Sequence, residues 1–242
     1  MGFHEPVHIK ARKGDIAERV IVAGDPARVK QLARYLENPR LVNENRGYLT
    51  YTGFYNSVPV TVATHGIGAP SAAIVFEELH MLGAKAIIRL GTCGALVKGL
   101  KIGDYIVATG AAYSHGGATL GMYVPEACMA TAPDFELTRL IVEELEKLGE
   151  KAVLGPVFSS DAFYAEDPEF AKRWGSRGVV CVEMEVATLF ALGLMRGFKA
   201  AAVLMVSDSL VEPSGFADAR ELAPRVDRIS RVVFNAITRL KL

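Results

Sequence analysis

The chain has 242 residues, half of them hydrophobic, and its 27 basic and 27 acidic side chains give a formal net charge of zero. That balance argues against a nucleic-acid binder, which carries a basic face or stripe. The opening residues, Met1 to Pro6, show no basic-then-apolar leader, and the longest apolar runs, such as Ala200–Val206, are strand-length and too short for a membrane span.

A soluble, cytoplasmic protein is therefore expected, folded as one α/β domain over residues 1–242. In chain order, a strand at Arg19–Ala23 precedes a helix predicted over Pro26–Leu36, and a strand at Val58–Thr64 precedes a helix at Pro70–Leu82. Strands at Lys85–Leu90 and Asp104–Thr109 lead to a helix at Pro133–Leu148, and Ala152–Val157 to one at Pro168–Trp174. The last pairs are Val179–Val182 with Glu185–Arg196, and Lys199–Val206 with Ala217–Leu240. This alternation is the βαβ pattern. Several strands are apolar on both faces, as a sheet covered by helices requires. Four helices begin at proline, the residue best tolerated at the first helical position. No linker divides the chain and no repeat is visible.

The functional signal lies at the strand ends. Five apolar runs finish in polar or glycine clusters: Gly24-Asp25-Pro26, His65-Gly66-Ile67-Gly68, Arg89 through Gly94, Glu183-Met184-Glu185 and Ser207-Asp208-Ser209. Ligands of open α/β sheets bind outside the carboxyl ends of strands, so the clusters suggest one composite pocket; turns and helix caps are the plain alternative for each. Asp25 would cap the first helix, and Gly24 would leave room for an anion at its N–H groups. Arg28, in the first turn, opposes the helix dipole unless an anion sits beside it. Arg89 follows a buried-looking run and needs a partner, either a glutamate or a phosphate held bidentately. Glu183 and Glu185 would point to opposite sides if the backbone stays extended, which disfavours a pair of glycosidase acids. A carboxylate accepting from vicinal hydroxyls fits better, and a surface glutamate opening the next helix is the alternative.

Other patterns carry little. His4-Glu5-Pro6-Val7-His8 matches the H-E-x-x-H zinc pattern, but Pro6 breaks the helix that pattern needs. Three scattered cysteines, Cys93, Cys128 and Cys181, suit neither a disulfide framework nor a metal site. No P-loop is present, and Cys93 has no base placed beside it by any motif.

Seven ordered segments together are more specific: Gly24 to Arg28, Asn45-Arg46-Gly47 with Tyr51-Thr52-Gly53, His65 to Gly68, Ile88 to Gly94, Phe158 to Tyr164, Val182 to Glu185, and Val206-Ser207-Asp208. The series resembles the hexameric purine nucleoside phosphorylases of the nucleoside phosphorylase-I family, and among them is most similar to archaeal 5′-methylthioadenosine phosphorylases. The resemblance implies a mixed sheet forming a distorted barrel flanked by helices, and a homo-oligomer, a hexamer built as a trimer of dimers, with active sites shared between neighbours. It implies phosphate held by the Gly24 backbone, Arg28, Arg89 and Thr92, with Arg46 from the neighbour. Ribose would meet Met184, Glu185 and the neighbour's His8. The base pocket would comprise Cys93, Gly94, Phe163, Val182, Glu183 and Ser207, with Phe163 stacking on the purine. Asp208 would protonate N7. The family's bacterial members carry an arginine thirteen residues after that aspartate, helping it protonate the base; Glu221 stands there, and a shift of one residue would give that catalytic role to Arg220.

The reaction so implied is phosphorolysis of purine nucleosides such as adenosine, inosine, guanosine or 5′-methylthioadenosine, with inorganic phosphate as co-substrate and neither metal nor organic cofactor. The alternatives are a uridine phosphorylase, a methylthioadenosine nucleosidase using water, and a non-catalytic nucleoside-binding protein.

Overall fold

The computed structural model describes residues 5–165 and 167–242, so His4 of the zinc-like pattern and the start of the N-terminal segment lie outside the described residues. The elements in order are β1 (Arg19–Ala23), α1 (Pro26–Ala33), β2 (Glu37–Asn43), β3 (Thr50–Tyr55), β4 (Val58–Thr64), α2 (Ala69–Met81), β5 (Ala86–Ala95) and β6 (Tyr105–Tyr113). There follow α3 (Leu120–Tyr123), α4 (Phe135–Lys147), β7 (Ala152–Ser159), α5 (Phe170–Gly175), β8 (Cys181–Glu183), α6 (Val186–Arg196), β9 (Lys199–Ser209) and α7 (Ala219–Arg239).

Every predicted strand and helix is present; β1 and β4 match the prediction to the residue, and the others shift at one or both ends. Pro26 and Pro70 do stand in the first turns of α1 and α2. Pro133 and Pro168 instead precede their helices, and α4 starts after Asp134, whose side chain accepts from Leu137 N–H. Three elements carry no apolar run to predict them: β2, exposed over its first five residues, half-buried β3, and the single turn α3.

The sheet has nine strands in the order β2-β3-β4-β1-β5-β8-β7-β6-β9, and β9 pairs back onto β5. Strands β5, β8, β7, β6 and β9 therefore close into a five-stranded barrel, and β1, β4, β3 and β2 extend from β5 as an open wing. The sheet is mixed: β1 runs parallel to β4 and β5, and β5 parallel to β9, whereas β6 meets β9 antiparallel. Side chains alternate along β5, so Ile87, Cys93 and Ala95 join one core while Ala86, Ile88 and Leu90 join the other. The first core packs under α2 and α6, around Phe76 and Phe190; the second packs under α1, α4 and α7, around Phe234. No helix among the described residues is long and apolar enough to cross a membrane.

Two of the five polar clusters sit inside strands, not beyond them. β5 runs on to Ala95 and β9 to Ser209, so Arg89, Thr92 and Asp208 are strand residues. The two strands continue because they pair with each other: Thr92 lies opposite Met205 and Cys93 opposite Val206. The register then slips, Gly94 pairing with Asp208, so that Ser207 is the extra residue of a bulge.

Candidate active site

Arg89 and Arg28 form the electrostatic centre. Both are buried, 4% and 8% exposed. Among the described residues Arg28 reaches only the Leu90 carbonyl, with Nη1 donating at 3.4 Å. Burial and the neighbouring Arg89 charge push its guanidinium down to about 10, against the opposing pull of Asp25. Asp25 caps α1 by accepting from Ala27 N–H at 2.8 Å, and Gly24 precedes it with the Gly66 carbonyl packed against its Cα: a Cβ there would lie 2.9 Å from that oxygen. Thr92 is half-buried farther along β5.

Arg89 has counter-charges of its own. Its Nη2 donates to Glu185 Oε2 and lies 3.3 Å from Glu183 Oε2. Burial alone would lower this guanidinium; the two carboxylates reverse that and hold it above the ordinary arginine value. The expectation that the two glutamates face apart is thus corrected. β8 ends at Glu183, and Glu185 adopts φ −143°, ψ −14° at the start of α6, so the chain has already turned and both carboxylates converge on one arginine. They differ in what else they hold. Glu183 accepts from the N–H groups of Glu185 and Val186 and from the Ser159 hydroxyl, which commits its carboxylate to the N-terminus of α6. Glu183, expected at the base, is therefore engaged inside the chain. Glu185 accepts from Gly68 N–H at 2.7 Å, which ties the β4–α2 turn to the same centre.

Farther along β5 the bulge shapes a second region. Asp208 Oδ1 accepts from the Ser207 hydroxyl at 2.8 Å, and that hydroxyl also lies 3.2 Å from the Cys93 carbonyl. Gly94 stands between Asp208 and β8: a Cβ there would lie 3.1 Å from Asp208 Oδ2 and 3.4 Å from Val182 Cγ1. Cys93, Gly94, Val182, Ser207 and Asp208 are thus one contiguous surface, with Met184 half-buried just beyond β8. Phe163 is 64% exposed, edge-on to Tyr164 and to Phe216, with centroids 5.0 and 6.4 Å away. Phe216 was not singled out by the sequence; the signal available was a lone aromatic in the polar loop between Asp208 and α7.

Three expected residues stand apart. His8 packs its Nδ1 2.7 Å from Glu78 Oε1, and no described contact joins it to Glu185. Arg46 is exposed on a tight turn with φ +56° and ψ +19°, and no described contact joins it to Arg28 or Arg89. Arg220 lines, with Arg28, a cleft of about 290 Å³ between α1 and α7 and makes no described contact with Asp208. Glu221, in the arginine's expected place, instead closes a capping box with Asp218, accepting from its N–H at 2.8 Å. Among the described residues no three His, Cys, Asp or Glu side chains are grouped to hold a metal ion.

A closed α/β barrel with buried cations, a paired carboxylate and a bulged acidic strand end defines a small-molecule site of the group-transfer kind. The chain belongs to the phosphorylase superfamily, whose model matches residues 18–239. It is 37% identical over 239 residues to a guanosine phosphorylase of Halorubrum lacusprofundi, covering 96% of this chain and 98% of that protein. It is 38% identical over 211 residues to a DeoD-type purine nucleoside phosphorylase of Caldanaerobacter subterraneus subsp. tengcongensis, covering 85% of this chain and 88% of that protein. In three dimensions it matches the crystal structure of purine nucleoside phosphorylase from Toxoplasma gondii in complex with immucillin-H. The TM-score is 0.87 at 30% identity, with 98% of this chain and 97% of that one covered.

Proposed function

We propose that the chain cleaves purine nucleosides with inorganic phosphate, releasing the free base and a pentose 1-phosphate. The observation that carries this is the buried pair Arg28 and Arg89, with Arg28 depressed first by burial and then by the charge of Arg89. A water nucleophile needs no such pair, whereas a phosphate dianion relieves their mutual repulsion and is held by their donors.

Phosphate sits among the Gly24 backbone, Arg28, Arg89 and Thr92. Arg89 links the two halves of the site, holding Glu185 while it offers its remaining N–H groups to the anion. Glu185 accepts from the 2′- and 3′-hydroxyls of the sugar, beside Met184. The base lies over Gly94, Cys93, Val182 and Ser207 and stacks on Phe163. As the C1′–N9 bond breaks, the sugar gains cationic character and the purine gains the electron pair. Asp208 then donates a proton to N7, general acid catalysis worth ~10²–10⁴-fold, while the phosphate beneath C1′ stabilises the cation and bonds to it. No metal or organic cofactor takes part. Glu183 supports the site from below through Arg89 and α6, and Arg220 approaches from the α1–α7 cleft.

The exposed Arg46 and the peripheral His8 fit a site completed by a second copy of the chain, in a hexamer assembled from dimers. The setting is the cytoplasm, where free phosphate is abundant. Initial rates on adenosine, inosine, guanosine, 5′-methylthioadenosine and uridine, with and without phosphate, test the reading. Equal turnover in phosphate-free buffer would overturn it in favour of hydrolysis. Turnover of uridine alone would move the substrate to pyrimidines, and nucleoside binding without turnover would leave a binding protein.

A further inference from the structure

Of the four described histidines only His65 is fully buried, at 0% exposure. Its main chain is fixed at both ends of the peptide unit: its N–H donates to the Ala23 carbonyl at 2.9 Å, and its carbonyl accepts from the Ser71 hydroxyl at 2.7 Å. The ring packs against Phe76, with centroids 5.6 Å apart. Its Cε1, the carbon between the two ring nitrogens, lies 3.5 Å from where a Cβ on Gly24 would stand. The nitrogen-bearing edge therefore faces the Gly24 turn.

Among the described residues neither ring nitrogen has a well-formed hydrogen-bond partner, although the Gly66 backbone lies close to the ring, and Arg89 Nε likewise has none. The great majority of buried polar groups in proteins are paired, and each exception needs a reason. Burial first, and the charges of Arg89 and Arg28 with it, hold the imidazole well below the usual histidine range, so the ring is neutral and carries one N–H. What His65 and Arg89 Nε share is a donor without an acceptor, close to the same two guanidinium charges. A group rich in acceptor oxygens satisfies both, and an uncharged donor does so without placing a third positive charge beside Arg28 and Arg89.

We propose that His65 is a phosphate-binding residue, donating a ring N–H to an oxygen of the anion held by Gly24, Arg28 and Arg89. The inference rests on the phosphorolytic reading above and extends it to a side chain deep beneath the β1 turn.

The test compares His65→Leu, which removes the donor, with His65→Gln, whose amide restores one at similar reach. The KM for phosphate should rise at least about tenfold in the leucine variant, the loss expected for a hydrogen bond to a charged group, and should partly recover in the glutamine variant. The nucleoside KM should stay within about twofold in both, and the rise in melting temperature caused by phosphate alone should shrink in parallel. A folded leucine variant with the wild-type phosphate KM overturns the proposal. Should neither variant fold, ring-¹⁵N spectra of the wild type decide: phosphate should shift the signals of a neutral imidazole, and a titration that moves no histidine overturns the assignment. Wild-type turnover and melting temperature indifferent to phosphate would remove the phosphorolytic reading and the proposal with it. That failure appears before any variant is made, so the two are separable.

Discussion

Gly91 leaves empty the space that the Arg89 guanidinium fills: a Cβ at Gly91 would overlap that group and come within 2.7 Å of Leu204 Cδ2. The arginine thus folds back over its own strand, two residues along, and the glycine is what lets it turn towards Glu185. Gly91→Ala should displace the guanidinium, raising the phosphate KM about tenfold or more, the cost of one lost charge-assisted contact, and lowering the melting temperature through overpacking. Steady-state kinetics and thermal melts would check it; unchanged phosphate kinetics would mean that Arg89 serves only its two glutamates.

Asp208, bonded to Ser207 on the bulge, is the proton donor in the proposed reaction. Asn at this position keeps the shape but cannot transfer a proton. Asp208→Asn should lower kcat by ~10²-fold or more on adenosine or inosine, while binding changes little. A 7-methylated purine nucleoside already carries the charge that protonation creates, so its cleavage should be far less affected. Equal losses on both substrates, in folded protein, would make Asp208 a positioning residue.

Arg46 stands exposed in the left-handed region, a conformation uncommon for any residue but glycine. If it serves a neighbouring copy, Arg46→Ala and Arg89→Ala should each be nearly inactive, and co-assembled mixtures of the two should regain activity at interfaces carrying both wild-type arginines. Absence of rescue in oligomers verified as mixed would count against a shared site.

Glu78, buried in α2, accepts from the backbone N–H groups of Val7, His8 and Ile9, the last at 2.6 Å. Burial raises its pKa, but these bonds and His8 outweigh burial and hold the carboxyl below its ordinary 4.5. A depressed carboxyl contributes stability above its unfolded value and loses it as pH falls through the folded one. Glu78→Gln should therefore cost about 1–3 kcal/mol at neutral pH, since an amide N–H would face backbone donors. The difference from wild type should persist down to about pH 4.5 and shrink below it. Denaturant titrations at several pH values would show this, and a gap that does not narrow in acid would refute the assignment.

The alternating pattern of the chain made the βαβ core legible because β1, β4, β5 and β9 are apolar on both faces. β2 escaped it because an outer strand with little to bury has no apolar signature. Arg89 announced itself as a cation in an apolar run. Its partners did not, because the convergence of Glu183 and Glu185 depends on where β8 stops, one residue later than the apolar residues suggest. The bulge at Ser207 was equally hidden, since it arises from pairing with β5, 114 residues away in the chain.

Among the described residues β2 is the outermost strand of the wing, with no strand beyond it. Unpaired strand margins template association with other chains, and here that margin is irregular, slipping register against β3 between Glu37 and Arg40 and again between Leu41 and Asn43. Pro39 withholds a donor at its middle, and charged Glu37 and Arg40 flank that gap. The polarity that hid β2 from pattern reading is thus a guard against edge-to-edge polymerisation. Replacing the Glu37–Arg40 stretch by a regular alternation of valine and threonine should make the variant form fibrils under heating that leaves the wild type free of them.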